Sequence, residues 1–265
     1  MLVHTLPNGQ LLCVNQTTHA LMAEQFCRHW GNAEFARPIP YEVVMSAIAQ
    51  HDNGWYEWEA APEIDAAGAP LAFIPGPHYA RKFKIWQLGI DRATAQHPNM
   101  GMMVSRHTSL LYQSGLHLLG EEERRATEEF IAQQERWIEG MWQWLADDAP
   151  LHHAASEPVL MAHTRLLQFG DFSSLQVTMP WSQERIFTHC PVDFMETYAS
   201  ITMHWEGQEI HFDPWPFGVD HFTVSIHGRL LDQATFASHA EYQAALAAAP
   251  LHTLTWQVAP ATVGG

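Results

Sequence analysis

Four residues of this 265-residue chain have the types and spacing to do chemistry together: His19, the adjacent pair His51-Asp52, and Asp171. His19 shares a stripe with Met22, Ala23, Phe26 and Trp30, the i, i+3, i+4, i+7, i+11 spacing of a buried helix face. His51 lies on the stripe of Val44, Ala47 and Ile48, and Asp52 stands one turn beyond Ile48. Asp171 falls in step with Leu160, Thr164 and Leu167, provided its helix continues past Gly170. A carboxylate aimed into an apolar core is costly unless it is neutralised or bound to a cation. Two carboxylates and two imidazoles on three inward faces offset that cost together by ligating one ion. The donor set suits a divalent transition metal: Fe, Mn, Zn or Ni.

Each residue also has an ordinary reading. A lone histidine on an apolar helix face is more often a satisfied core residue than a ligand. Asp52 can be the polar end of a helix facing water, and Asp171 can be an N-cap after Gly170. The adjacent His-Asp pair, flanked by an inward His upstream and an inward Asp downstream, tips the balance towards a metal. His107 is a fifth candidate, sharing a face with Met103, Leu110, Leu111 and Ser114, and it opens the way to a second ion. A further imidazole for such a pair would have to be His78 or His97, and neither sits on a clear helix face.

With a metal in place, Asp52 would be both ligand and the group that orients a water whose pKa the ion lowers. Glu57 and Glu59 follow it and read equally well as a catalytic base or as solvated loop charges. Arg106, next to His107, is the best-placed candidate to contact a phosphate. Arg165 is a second, and the cluster Arg81-Lys82-Phe83-Lys84 reads more readily as solvated surface. Trp55, Trp58 and Trp86 either wall a pocket or pack in the core.

Helices must position these groups. From Thr17 to about Leu175 the pattern is helical, with segments near 18–30, 40–52, 84–96, 99–114, 121–146 and 158–170, and a Pro/Gly/Ala-rich loop over 60–80. Residues 1–16 read as a hairpin turning at Pro7-Asn8-Gly9. After about residue 180 the pattern alternates, as in Ile201–Trp205, Glu209–Phe212 and Leu251–Trp256, with a short helix over 238–248. The expected fold class is therefore α+β: a hairpin over 1–16, a helical metal-binding domain over 17–180, and an antiparallel β-rich extension over 181–265 that the hairpin joins.

Bulk composition narrows the partners. There are 13 Lys+Arg against 29 Asp+Glu, a formal net charge of -16. Such a field repels phosphate backbones, so no nucleic-acid partner is expected. A small anionic substrate stays compatible, because a bound ion inverts the field locally. The three cysteines, Cys13, Cys27 and Cys190, have no CxxC spacing and leave one unpaired, which points to a reducing, cytoplasmic setting. The start lacks a secretion signal, and no stretch is apolar enough to span a bilayer, so no membrane partner is expected. Oligomeric state is open, a homo-oligomer included. No GxGxxG, P-loop or GxSxG motif occurs, which leaves dinucleotide, NTPase and serine-hydrolase readings without support.

The order His19, His51-Asp52, Asp171 resembles the HD superfamily of metal-dependent phosphohydrolases. The stretches that carry the resemblance are Gln16-Thr17-Thr18-His19-Ala20, Trp30-Gly31-Asn32, Gln50-His51-Asp52-Asn53-Gly54-Trp55 with Trp58-Glu59, Val104-Ser105-Arg106-His107, and Leu166-Leu167-Gln168 leading to Asp171. The wider texture is also similar to a bacterial domain-of-unknown-function family. What the HD resemblance implies is an all-helical core with one or two metals at its centre, often hydrolysing a phosphate ester. The sequence departs from many HD hydrolases at Asn53-Gly54-Trp55-Tyr56, where they carry a charged residue one turn after the pair. Three functions stay in play: a hydrolase of a small phosphorylated compound; an iron oxygenase acting on a small organic substrate, since the same scaffold hosts two-iron centres; and a metal- or ligand-binding protein without catalysis, using its C-terminal sheet as partner surface.

Overall fold

The computed structural model describes residues 1–179 and 181–261. The expected domain ends at 180 and 265 therefore fall outside the described residues. The chain begins with β1 (Leu2–Thr5) and β2 (Leu11–Val14), an antiparallel hairpin. The helices follow: α1 (Gln16–Cys27), α2 (Tyr41–Ala49), α3 (Tyr56–Ala60), α4 (Tyr79–Gln96), α5 (Pro98–Gly115), α6 (Glu121–Trp144), α7 (Ala149–Ala154) and α8 (Glu157–Thr178). Single 3-10 turns at Asn53–Trp55 and Leu116–Leu118 join α2 to α3 and α5 to α6. The chain then runs through β3 (Glu184–Pro191), β4 (Tyr198–Glu206), β5 (Glu209–Asp213), β6 (Phe222–Leu231), α9 (His239–Ala248) and β7 (Leu251–Pro260). The class is α+β.

All seven strands form one sheet in the order β1-β2-β6-β7-β5-β4-β3. The N-terminal hairpin joins it through β2, which pairs antiparallel with β6. The sheet is mostly antiparallel, as expected, with one exception that makes it mixed: β5 and β7 run parallel, with Ile210 opposite Val258. The reason lies in the crossover. The chain leaves β6, passes through α9 and returns as β7 antiparallel to β6, filling the gap beside β5 in the same direction as β5. Alternation along a strand marks its two faces but not its neighbour's direction.

Helix ends follow local chemistry. Pro98 occupies the first turn of α5, where its missing N–H costs nothing, and the Nδ1 of His97 accepts from the Asn99 N–H. The Nδ1 of His78 likewise accepts from the Ala80 N–H at the start of α4. These two histidines are helix caps, which removes both from the ligand set the sequence left open. The helix expected over 158–170 continues through Gly170 to Thr178, so Asp171 lies inside α8 and is not an N-cap.

A continuous apolar core joins helices to sheet. Phe169 of α8 packs edge-on against Trp30 at 5.0 Å between ring centres, and against Phe212 of β5 at 5.4 Å. Met22, Phe26, Ile48, Leu166, Ile201, Met203, Val224 and Val258 belong to the same cluster. Two glycines let the elements that carry the site approach one another. A Cβ at Gly170 would stand 2.6 Å from both the Ala23 carbonyl oxygen and the Cys27 sulfur, so α1 and α8 touch backbone to side chain there. A Cβ at Gly54 would stand 2.0 Å from the Ile85 carbonyl oxygen, so the turn after His51-Asp52 lies directly on α4.

Candidate metal centre

The close α1–α8 contact brings His19 and Asp171 together, and α2 and α5 deliver the rest. The His19 Nε2 lies 2.9 Å from Asp171 Oδ1 and 3.8 Å from Asp52 Oδ2. The His51 Nε2 lies 3.4 Å from Asp52 Oδ2 and 3.7 Å from Asp171 Oδ1. The His107 Nε2 lies 3.6 Å from Asp171 Oδ2. All five side chains are buried. Donors sharing an ion at ~2.1 Å sit about 3.0 Å apart along an octahedral edge and about 3.4 Å along a tetrahedral one. The observed separations fall on that scale. His19, His51 and Asp171 form the tightest subset, with one donor atom from each within 4.8 Å of the others.

The hydrogen bonds behind the rings fit a metal better than they fit an empty cluster. The His51 Nδ1 is 2.8 Å from the Ile48 carbonyl oxygen, which can only accept, so the proton is on Nδ1 and the Nε2 lone pair faces the carboxylates. Behind His19, the Ser174 hydroxyl donates to the Asp171 main-chain oxygen at 3.0 Å and lies 2.5 Å from His19 Nδ1. With its proton so committed, Ser174 accepts from Nδ1–H, and a second Nε2 lone pair faces the carboxylates. Lone pairs directed at anions are repulsive until a cation stands between them. Supporting bonds of this kind are what orient histidine ligands in metal sites. The Nε2 of His51 and both ring nitrogens of His107 have no hydrogen-bond partner although they are buried, and an unpaired buried polar atom is costly.

The electrostatics agree. Burial works to raise the Asp171 carboxyl, but in the absence of an ion the His19 and His51 rings that face it, with the charge of His107 and His51, outweigh it and hold the group well below the usual carboxylate range. Burial likewise opposes protonation of His51, and Asp52 and Asp171 overcome it, raising the ring well above its ordinary value. His107 is different: burial dominates and pushes it down to about 4. A carboxylate held as its anion among three buried imidazoles, with Asp52 beside them, forms a cluster that could hold a metal ion.

Two of the catalytic candidates do not reach this centre. Glu57 is exposed and bound to Arg92 of α4, because the 3-10 turn at Asn53–Trp55 rotates α3 so that its Glu57 face points to solvent. Arg106 is half-buried and bound to Glu135 and Glu157 at 2.7 Å each. Successive helix residues point about 100° apart, so with His107 aimed at the centre Arg106 faces a different cavity, formed with Trp142 and Ala155. Arg165 is bound to Gln168 and lines a third cavity. Glu59 is buried but occupied: its carboxylate takes the Gln16 N–H at 2.9 and 3.0 Å and the Met1 ammonium at 2.6 Å, anchoring the start of α1.

The centre forms the floor of a cavity of about 440 Å³. Trp55 and Trp86 wall it, whereas Trp58 packs behind them in the core. Lys82, from the basic cluster, is the lysine that lines it. Ser174, Tyr112, Phe172 and Trp181 were not among the expected site residues. Ser174 carried a signal, standing three residues after Asp171 on the same helical face, but one visible only once the helix extends past Gly170. The other three approach the cavity through tertiary packing, with no pattern along the chain.

No curated protein and no solved structure matches the chain. Residues 1–233, which carry all five ligand candidates and the strands through β6, match the model of the family described as Protein of unknown function (DUF3891), and the chain belongs to that family.

Proposed function

We propose that the chain is a metal-dependent hydrolase of a small phosphorylated compound, built on an HD-like arrangement of ligands. The observation that carries this reading is the convergence of three imidazoles and two carboxylates, with unpartnered Nε2 atoms facing Asp171, at the bottom of a ligand-sized cavity. The order His19, His51-Asp52, Asp171 on α1, the turn after α2, and α8 supports the HD resemblance. A divalent ion held there supplies a water of lowered pKa and draws charge from a phosphoryl oxygen. The chain's own residues do the rest. Ser174 and the Ile48 carbonyl hold His19 and His51 in the ligating tautomer. Asp52, whose Oδ2 stands off from both rings at 3.4 and 3.8 Å, is the carboxylate free to orient a water and take its proton. The apolar walls exclude bulk water.

The same apolar walls favour a second reading, an iron oxygenase acting on a small organic substrate. Elemental analysis of the purified protein, beside turnover of phosphate esters and oxygen uptake, tests both. Metal with ester hydrolysis supports the first. Tightly bound iron with oxygen uptake and no hydrolysis replaces it with the second. Protein that takes up no divalent metal refutes both.

A further inference from the structure

The cavity itself narrows the ligand. Its volume of about 440 Å³ lies in the roughly 300–1,000 Å³ range of small-molecule sites. Apolar lining does not stop at a polar rim. Ile74, Leu118 and Trp181 line the cavity and are 64%, 77% and 52% exposed, so the apolar surface runs out to the mouth. Exposed apolar surface of this kind marks a place where something apolar binds. A sugar or a bare phosphate would find few partners there, because Arg106 and Arg165 face other cavities.

Charge is equally restrictive. Among the described residues, the charged side chains lining the cavity are Asp52, Asp171 and Lys82. Glu123 of α6 acts on the Lys82 ammonium from outside the lining. A divalent ion on the floor balances the two carboxylates, and Lys82 then leaves the cavity one positive charge. Burying an unpaired charge is costly, so the complementary ligand brings one negative charge and no more. Besides the ligand histidines, three uncommitted polar groups line the space: the Gln16 side-chain oxygen, the Trp55 indole N–H and the Tyr112 hydroxyl are buried without hydrogen-bond partners.

We infer that the site takes an amphipathic monoanion, with an alkyl or aryl body against Trp55, Trp86, Leu111 and Phe172 and a single anionic group held by Lys82. A carboxylate and a phosphodiester share this chemistry. The inference deepens the hydrolase reading and takes the ion's two charges from it; the apolar mouth and the single lysine stand without it.

The test is calorimetric binding to the metal-loaded chain of ligands that share one alkyl body: decanol, decanoate, methyl decyl phosphate and decyl phosphate, with inorganic phosphate as the bare head. One or both monoanions should bind at least about tenfold more tightly than decanol, since a hydrogen bond to a charged group contributes on that scale. Inorganic phosphate should bind more weakly than either. The tighter of the two monoanions identifies the head group. Lys82→Met, which keeps the apolar stem, should bring the monoanions down to the decanol value and leave decanol unchanged. Inorganic phosphate or the dianion binding most tightly, or a monoanion preference that survives Lys82→Met, would overturn the inference. Metal content of the same samples separates the readings. Loaded protein without a monoanion preference sinks the inference alone, whereas protein that binds no metal and no monoanion sinks the metal-dependent enzyme with it.

Discussion

The helices and the sheet of this chain share one apolar core but differ in what else they bury. Every buried polar or charged side chain among the described residues lies between Gln16 and Thr178, and these include His19, His51, Asp52, His107 and Asp171. The buried face of the sheet, with Ile201, Met203, Ile210, Phe212, Val224, Ile226 and Val258, is apolar throughout. Buried polar groups that lack partners reduce stability, so a fold that concentrates them in one part and keeps the other free of them separates two tasks. The sheet supplies apolar burial, transmitted to α8 through Phe169 and Phe212. The helices hold the candidate ligands in place at a cost that the sheet helps offset and that a bound cation would relieve.

That division predicts two kinds of mutational response. The largest loss of stability should come from the sheet. Phe212 is fully buried, and Phe212→Ala should destabilise the fold by about 3–5 kcal/mol. Metal bound per folded molecule should not change. Urea denaturation beside elemental analysis measures both, and a loss of metal from the folded fraction would break the division.

Asp171 is the converse. It stands against three imidazoles, His19, His51 and His107, whereas Asp52 approaches two and hydrogen-bonds neither. Sequence alone gives the greater weight to Asp52, as the neighbour of His51; the geometry moves that weight to Asp171. Asp171→Ala should weaken metal binding by more than about 100-fold, beyond the roughly 10–100-fold usual for supporting residues. Stability of the metal-free protein should fall as well, since the buried imidazoles lose the carboxylate that they face. Asp52→Ala should weaken binding less. Competitive titration against a chelator ranks them, and the reverse order would show that Asp52 is the central ligand.

Ser174→Ala should come next, at roughly 10–100-fold in metal affinity. It removes the oxygen that fixes the His19 tautomer and leaves all five ligand candidates intact. An unchanged affinity would mean that His19 needs no support from behind.

How much of this was legible along the chain depends on the range of the interaction. The stripe of His19 with Phe26 and Trp30 is a property of one helix, and period 3.6 exposes it. The same holds for His107 and for the short β-arms, whose period is 2. Glu57 and Arg106 stand away from the centre for a reason no local pattern carries, since their environment is set by partners far away: Arg92 stands 35 residues from Glu57, and Glu157 stands 51 from Arg106. The parallel β5–β7 pair escaped for the same reason, since register and direction arise between strands. Gly170 looked like a helix end by its propensity, yet close packing against Ala23 and Cys27 explains its presence inside α8.

The smallest expected effect concerns Glu57, and it sharpens the comparison from outside. Its carboxylate is held below its ordinary range mainly by the hydrogen bond from Arg92, in a pair open to solvent. Exposed ion pairs contribute about 0–1 kcal/mol, screened further by salt. A catalytic base, by contrast, contributes typically 10²–10⁴-fold in rate. Glu57→Gln should therefore leave metal content unchanged, shift stability by less than about 1 kcal/mol, and leave untouched any turnover the wild-type chain supports. Adding salt should shrink even the stability difference, because the ion pair being removed is screened in wild type as well. If Glu57→Gln instead lowered turnover by a hundredfold at constant metal content, α3 would have to swing its outer face towards the cavity during the reaction. The turn at Asn53–Trp55, seated on α4 through Gly54, would then be a hinge and not a rigid support.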